Sequence, residues 1–210
     1  MIPHLVYFAD PMCSWCWGFS PAIDAIAARY PDLPIRLVLG GLRPFNDKPM
    51  DEASKAEIRR HWEHVGAASG QPFDYAFFER QGFVYDTEPA ARAVVAARRL
   101  DPGRVFSLKR RISRAFYAEN QDVTKSAMLT ALAVEEGLDA AAFAASFEAP
   151  ATREETLADF AVAQASGVTG FPTLVAGPVV GEGGGYQAIA MGFLPQDQVL
   201  ERIEVFLRRT

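Results

Sequence analysis

The first apolar stretch, Leu5-Val6-Tyr7-Phe8-Ala9, has no polar interruption and stops at Asp10-Pro11. A short run of aromatic and β-branched residues ending at a breaker predicts a buried strand. Ala22, Ile23, Ile26 and Ala27 then recur at helical spacing until Tyr30-Pro31, and a second strand-like run, Ile35 to Leu39, leads into Gly40-Gly41. Strand, helix and strand joined by a short crossover predict two parallel strands with the helix on one face.

From about Asp51 to Pro150 the pattern changes to helix after helix. Ile58, Trp62 and Val65 share one face, as do Val105, Leu108, Ile112 and Phe116. Breakers at Gly70-Gln71-Pro72, Glu88-Pro89, Asp101-Pro102-Gly103, Gly137 and Pro150 divide the region. A further helix is expected over Arg153 to Ala165, followed by strands at Thr173 to Ala176 and Gln187 to Met191. A last helix is striped by Val199, Ile203, Phe206 and Leu207. The pattern predicts an α/β domain made from residues 1–50 and 151–210, with residues 51–150 inserted as a helical domain. The glycine-rich segment 181–185 lacks the Lys-Ser/Thr of a phosphate loop and reads as a hairpin turn.

Composition narrows the function. Half of the 210 residues are hydrophobic and 22% are charged, which predicts an ordinary folded core and not a disordered chain. The net charge of -5 leaves no basic surplus to neutralise phosphates, so nucleic acid and anionic lipid are not expected partners. The cluster Lys109-Arg110-Arg111 reads as a solvated helix face. No stretch reaches membrane-span length, and Met1-Ile2-Pro3-His4 lacks the basic and apolar regions of a secretory signal, so a cytoplasmic location is expected.

Thiols are kept reduced in that compartment, which makes two cysteines separated by two residues a catalytic signature more than a structural one. Cys13-Ser14-Trp15-Cys16 follows the first strand and the Asp-Pro break. This places Cys13 at a helix N-terminus, where unpaired N–H groups and the helix dipole favour a thiolate. Cys16, nearly one turn on, is then in reach to close a disulfide. The expected cycle has an exposed Cys13 forming a mixed disulfide and a deeper Cys16 resolving it. Half of a zinc site is the alternative, but His61 and His64 lack the spacing of a compact Cys2His2 module and no metal is expected. Asp10 is either a turn former or a proton relay for Cys16. Trp15 is expected at the exposed apolar rim and Trp17 in the core. Pro21 either kinks the cysteine helix or opens a new one.

With the strand, the Cys-x-x-Cys pair and a late Gly170-Phe171-Pro172-Thr173 before a strand, the chain resembles the thioredoxin superfamily. More closely it resembles the DsbA-like branch, a thioredoxin-like fold with an inserted helical domain. The segment Tyr7-Phe8-Ala9-Asp10-Pro11-Met12-Cys13-Ser14-Trp15-Cys16-Trp17-Gly18-Phe19 is similar to that of cytoplasmic disulfide isomerases of this branch. The resemblance implies that Pro172 is the family's cis proline facing the cysteines, although the local sequence alone equally allows a trans turn. It also implies that Phe171 and Thr173, with Trp15, border the substrate, whose backbone pairs beside Phe171.

The implied activity is protein-disulfide oxidoreductase or isomerase, with no bound cofactor beyond the Cys13–Cys16 disulfide. The implied partners are thiols or disulfides of proteins or small molecules, with glutathione a candidate co-substrate. Ser14-Trp15 contains no histidine, so the predicted couple lies in the reducing half of the range from about -270 to about -120 mV. The architecture also resembles kappa-class glutathione transferases and hydroxychromene carboxylate isomerases, which do not need the second cysteine. Gly40-Gly41-Leu42-Arg43 resembles a segment of both branches, with Arg43 either meeting a substrate carboxylate or capping a loop.

Overall fold

Leu5 to Ala9 must satisfy two cores at once, which makes their strand the central one. In the computed structural model, which describes residues 2–179 and 185–209, strand β1 (His4–Ala9) pairs in parallel with β2 (Ile35–Leu39) and antiparallel with β3 (Thr173–Gly177). Strand β4 (Gln187–Met191) adds antiparallel to β3, giving the order β2-β1-β3-β4. Leu5, Tyr7 and Ala9 enter the main core, while Val6 and Phe8 join a smaller cluster with Val38 and Ala163. Burial on both faces accounts for the unbroken apolar run. The glycine-rich turn expected at 181–185 lies, except for Gly185, outside the described residues.

Helix α1 (Ser14–Gly18) and helix α2 (Ser20–Arg29) fill the crossover. Phe19 separates them, and Pro21 stands in the first turn of α2, where its missing N–H costs no helical bond. The cysteine helix is therefore restarted at Phe19, not kinked within one continuous helix. The same principle moves two other boundaries. Pro89 and Pro150 stand in first turns of α4 (Glu88–Leu100) and α8 (Pro150–Ala165), so α8 begins earlier than Arg153.

Between the two parts of the sheet lie α3 (Glu52–Ser69), α4, α5 (Val105–Tyr117), α6 (Ser126–Glu135) and α7 (Ala140–Glu148), and α9 (Gln196–Leu207) closes the described chain. Asp51 caps α3 by accepting from the Ser54 amide, and Gly70 ends it at φ 72°, a left-handed conformation that favours glycine. Trp62 of α3 is the hub of the insertion's core. Its ring lies 4.9 Å from those of Phe77, Phe78 and Tyr117 and 5.8 Å from Phe116. Among the described residues no helix is long and apolar enough to cross a membrane.

One side chain ties the insertion to the sheet edge. Arg98 of α4 donates to the Leu37 carbonyl at 3.2 Å and to Asp159 of α8 at 3.0 Å, and Asp159 in turn accepts from the Leu39 amide at 3.0 Å. Backbone groups of β2 left without a strand partner are thereby covered by side chains. Because Trp62 holds together the aromatic core behind the cysteine helix, Trp62→Ala is expected to lower unfolding free energy by about 3–5 kcal/mol in a urea titration. A loss below about 1 kcal/mol would mean that the cluster packs independently of its hub.

Candidate active site

The site grows from the end of β1. Asp10 is fully buried, and its two carboxylate oxygens accept from the Met12 amide at 2.8 Å and the Leu42 amide at 2.9 Å. One residue thus fixes the cysteine loop against the loop that follows β2. The turn-forming role expected of Asp10 is real, but its complete burial among titratable groups goes well beyond it.

The helical insertion holds the same loop through its carbonyls. Ser113 Oγ donates to Pro11 O at 2.7 Å, Tyr85 OH to Met12 O at 2.8 Å and Lys109 Nζ to Cys16 O at 3.2 Å. Trp17, buried as expected, donates its indole N–H to Pro72 O at 3.0 Å. Lys109 is only 3% exposed, which corrects its reading as part of a solvated face. Its neighbours behave differently: Arg110 pairs with Asp24, and Arg111 with Glu119 and Glu135. The clue lay in the α5 stripe, since positions 109 and 113 fall between Leu108, Ile112 and Phe116 on the buried side.

Cys13 caps α1 with extended backbone (φ -97°, ψ 119°), and its thiol lies 3.5 Å from Phe171 O. Cys16 has no exposed surface, and both thiols are free. Cys13 itself is only 5% exposed, a correction to the expected exposed sulfur. It sits at a cavity of about 170 Å³ lined by Met12, Trp15, Arg43, His61, Tyr85 and Phe171, whose walls cover it. The Phe171–Pro172 peptide bond is cis. Gly40 permits the bulky Phe171, because a Cβ there would lie 2.0 Å from the phenyl ring.

Electrostatics inside this pocket also depart from the simple helix-terminus picture. Hydrogen bonding to Cys16, then burial, pushes the Cys13 thiol well above its ordinary value. Burial would raise Cys16 as well, but the hydrogen bond from Cys13 and the Lys109 charge outweigh it and bring Cys16 below an ordinary thiol. Burial raises Asp10 above the usual carboxylate range despite the amides of Leu42 and Met12, the Thr87 hydroxyl and Lys109.

The other expected residues divide. Trp15 is half-buried at the cavity, its ring 5.8 Å from His61, 5.3 Å from His64 and 5.3 Å from Phe193. The two histidines, exposed as expected, therefore flank the inter-cysteine tryptophan. Burial, His64 and Arg43 lower the His61 imidazole. Thr173 is not brought to the cavity; its hydroxyl donates to Gly170 O at 2.8 Å, and the residue borders a separate cleft with Phe8 and Val175. Among the described residues no group of three or more His, Cys, Asp or Glu is placed to hold a metal ion.

A Cys-x-x-Cys pair mounted between β1 and α1 of this sheet marks a thioredoxin-like fold with a helical insertion. The chain belongs to the DSBA-like thioredoxin domain family, whose model matches residues 4–204. It is similar to a Nitrosomonas europaea protein provisionally named a protein disulfide isomerase, at 35% identity and TM-score 0.89 over 99% of this chain and 98% of that one. It is also similar to the cytosolic disulfide reductase DsbM of Pseudomonas aeruginosa, at 28% identity and TM-score 0.80 over 99% of this chain and 100% of that one. A curated relative, the ClpXP adapter protein SpxH of Shouchella clausii, is 28% identical over 80% of this chain and 55% of its own length. The chain spans about half the length of the curated relatives it matches.

The raised Asp10 value fixes the sign of a pH effect. Between the ordinary carboxylate value and the raised one the folded chain binds more protons at Asp10 than the unfolded chain, so this residue's contribution to stability is full below that window and falls as pH rises through it. Measured by denaturant titration from about pH 4 upward, the unfolding free energy of the wild type minus that of Asp10→Asn should decline. A rising difference would show instead a carboxylate held ionised.

Proposed function

We propose that this chain is a cytoplasmic thiol–disulfide exchange catalyst of the reductase or isomerase type, with Cys13 as attacking and Cys16 as resolving sulfur. The observation that carries the reading is the stacked arrangement of the two free thiols, Cys13 at the cavity 3.5 Å from Phe171 O and Cys16 completely buried behind it. The two thiols are coupled through a hydrogen bond, and with the proton on Cys16 the charge of the singly ionised pair lies on the sulfur that meets substrate.

The Cys13 thiolate attacks one sulfur of a substrate disulfide, and the other sulfur departs as a thiolate that takes a proton from solvent. With Asp10 ionised, Cys16 then gives it a proton and attacks the Cys13 sulfur, closing the Cys13–Cys16 disulfide and expelling the second substrate sulfur as a thiolate that takes a proton from Asp10 or solvent. Pro172, beside Cys13 and without an N–H, offers no competing donor, and the backbone next to Phe171 pairs with an extended substrate. Trp15 and the Phe171 ring form the apolar rim. Thr173 acts indirectly, by holding the Gly170 turn.

The cavity's modest volume suits a cysteinyl side chain or a small thiol, and Arg43 at its edge supplies a cation for a carboxylate. These features support glutathione as co-substrate, as does the similarity to the P. aeruginosa reductase, whose structure with GSH matches at 28% identity over 98% of this chain. A buried resolving thiol would be superfluous in a glutathione transferase or isomerase, which favours exchange over that alternative.

Trapping tests the assignment. Incubated with glutathione disulfide or a mixed-disulfide peptide, Cys16→Ala is expected to accumulate a mixed disulfide visible by intact mass, whereas Cys13→Ala is not. Full exchange activity in Cys13→Ala would overturn the assignment.

A further inference from the structure

The mouth of the Cys13 cavity carries basic side chains on a chain whose net charge is -5. Arg43 and His61 line the cavity, and His64 follows His61 on α3. All three are exposed. Among the described residues, none of their side chains has a hydrogen-bond partner or a carboxylate within ion-pair distance.

Arg43 is held in place from two directions. Its amide donates to Thr87 Oγ1 at 3.0 Å, and its carbonyl accepts from the Thr87 amide at 3.2 Å. Its guanidinium lies 5.4 Å from the centre of the Tyr85 ring, which is itself tied to Met12 O. A guanidinium resting on an aromatic ring keeps its N–H fork available to a carboxylate. The two imidazoles meet Trp15 nearly edge-on, at interplanar angles of 88° and 82°, so the insertion carries them to the residue between the cysteines. Arg43 from the loop after β2 and Glu57 from α3 are the charges facing His61 besides His64, and Trp15 from α1 brings none.

Resting on the exchange reading above, we infer that Arg43, His61 and His64 form a selecting rim that admits anionic disulfides, those with carboxylates a few bonds from sulfur, ahead of neutral or cationic ones. Arg43 keeps its charge throughout, and the histidines add theirs as pH falls, because imidazole ionises between about pH 5 and 8. A unit charge about 6 Å from the approaching group in water-like surroundings changes a rate about threefold. The three residues act on the arriving substrate and make no bond to either sulfur.

Two alkylating agents read the rim without disulfide chemistry. In Cys16→Ala, anionic iodoacetate and neutral iodoacetamide each form a carbon–sulfur bond at the Cys13 thiolate and expel iodide, so thiolate ionisation cancels in the ratio of their rates. Followed by intact mass, that ratio is expected to fall as salt is raised, whereas a field set by the negative net charge makes it rise. Adding Arg43→Gln should lower the ratio about threefold, and Arg43→Lys should restore it. From about pH 8 to about pH 5.5 the ratio should climb, and the climb should shrink when His61→Gln and His64→Gln are added. Asp10 and Glu57 titrate in both backgrounds and cancel in that comparison.

The substrate arm compares mixed-disulfide formation by Cys16→Ala with dithiodipropionate, which carries two carboxylates, and with cystamine, which carries two amines. Normalised to their rates with 2-mercaptoethanol, the first should react about tenfold faster, and Arg43→Gln should shrink the difference. An alkylation ratio that rises with salt or ignores Arg43→Gln, a pH profile unchanged without the histidines, or equal normalised rates for the two disulfides would overturn the rim. If neither disulfide forms a mixed disulfide the exchange reading falls, and the alkylation ratio still decides the rim.

Discussion

Three backbone carbonyls of the cysteine loop, those of Pro11, Met12 and Cys16, are accepted into the protein interior only because the helical insertion brings a donor to each. Ser113, Tyr85 and Lys109 come from separate positions on and before the helices of the insertion, and none belongs to the four-stranded sheet. A buried carbonyl left unpaired costs about 1–3 kcal/mol, so three together approach the whole net stability of an ordinary domain. The insertion is therefore the mount of the redox loop. An appended module reserved for partner binding would not make these bonds.

That mounting creates the chemistry and limits it. Burying the loop brings Cys13 against Phe171 O and Cys16 against Lys109, which fixes the geometry for exchange. The same burial opposes a thiolate, so an ionised pair depends on local support, from the hydrogen bond between the two thiols and from Lys109. Asp10 adds a carboxyl that burial keeps ready to hold a proton while its oxygens anchor two loops. A pocket built in this way combines a rigid sulfur pair with a modest electrostatic pull.

The sheet and its cysteine pair were legible in the sequence because they rest on local signals. Two-faced burial left unbroken apolar runs at Leu5–Ala9 and Ile35–Leu39, and the spacing of Cys13 and Cys16 announced itself directly. Helix ends were less legible where proline opened a helix in place of ending one, as at Pro21, Pro89 and Pro150. Least legible was the floor of the site. Lys109 looked like one of three consecutive basic residues, and only its place on the α5 stripe separated it from Arg110. Its partner Cys16 is 93 residues away, a distance that helical periodicity does not bridge. His61 and Arg43 reached the cavity by the same long-range folding, and Cys13 lost its exposure to walls contributed by four parts of the chain.

The central claim is that this buried pair, with no histidine between its cysteines, is a mild exchange catalyst. Equilibrating the wild-type protein with graded glutathione buffers, and reading the oxidised fraction by intact mass after thiol alkylation, measures the Cys13–Cys16 reduction potential. The account predicts a value in the reducing half of the range from about -270 to about -120 mV, and a value near the oxidising end would contradict it.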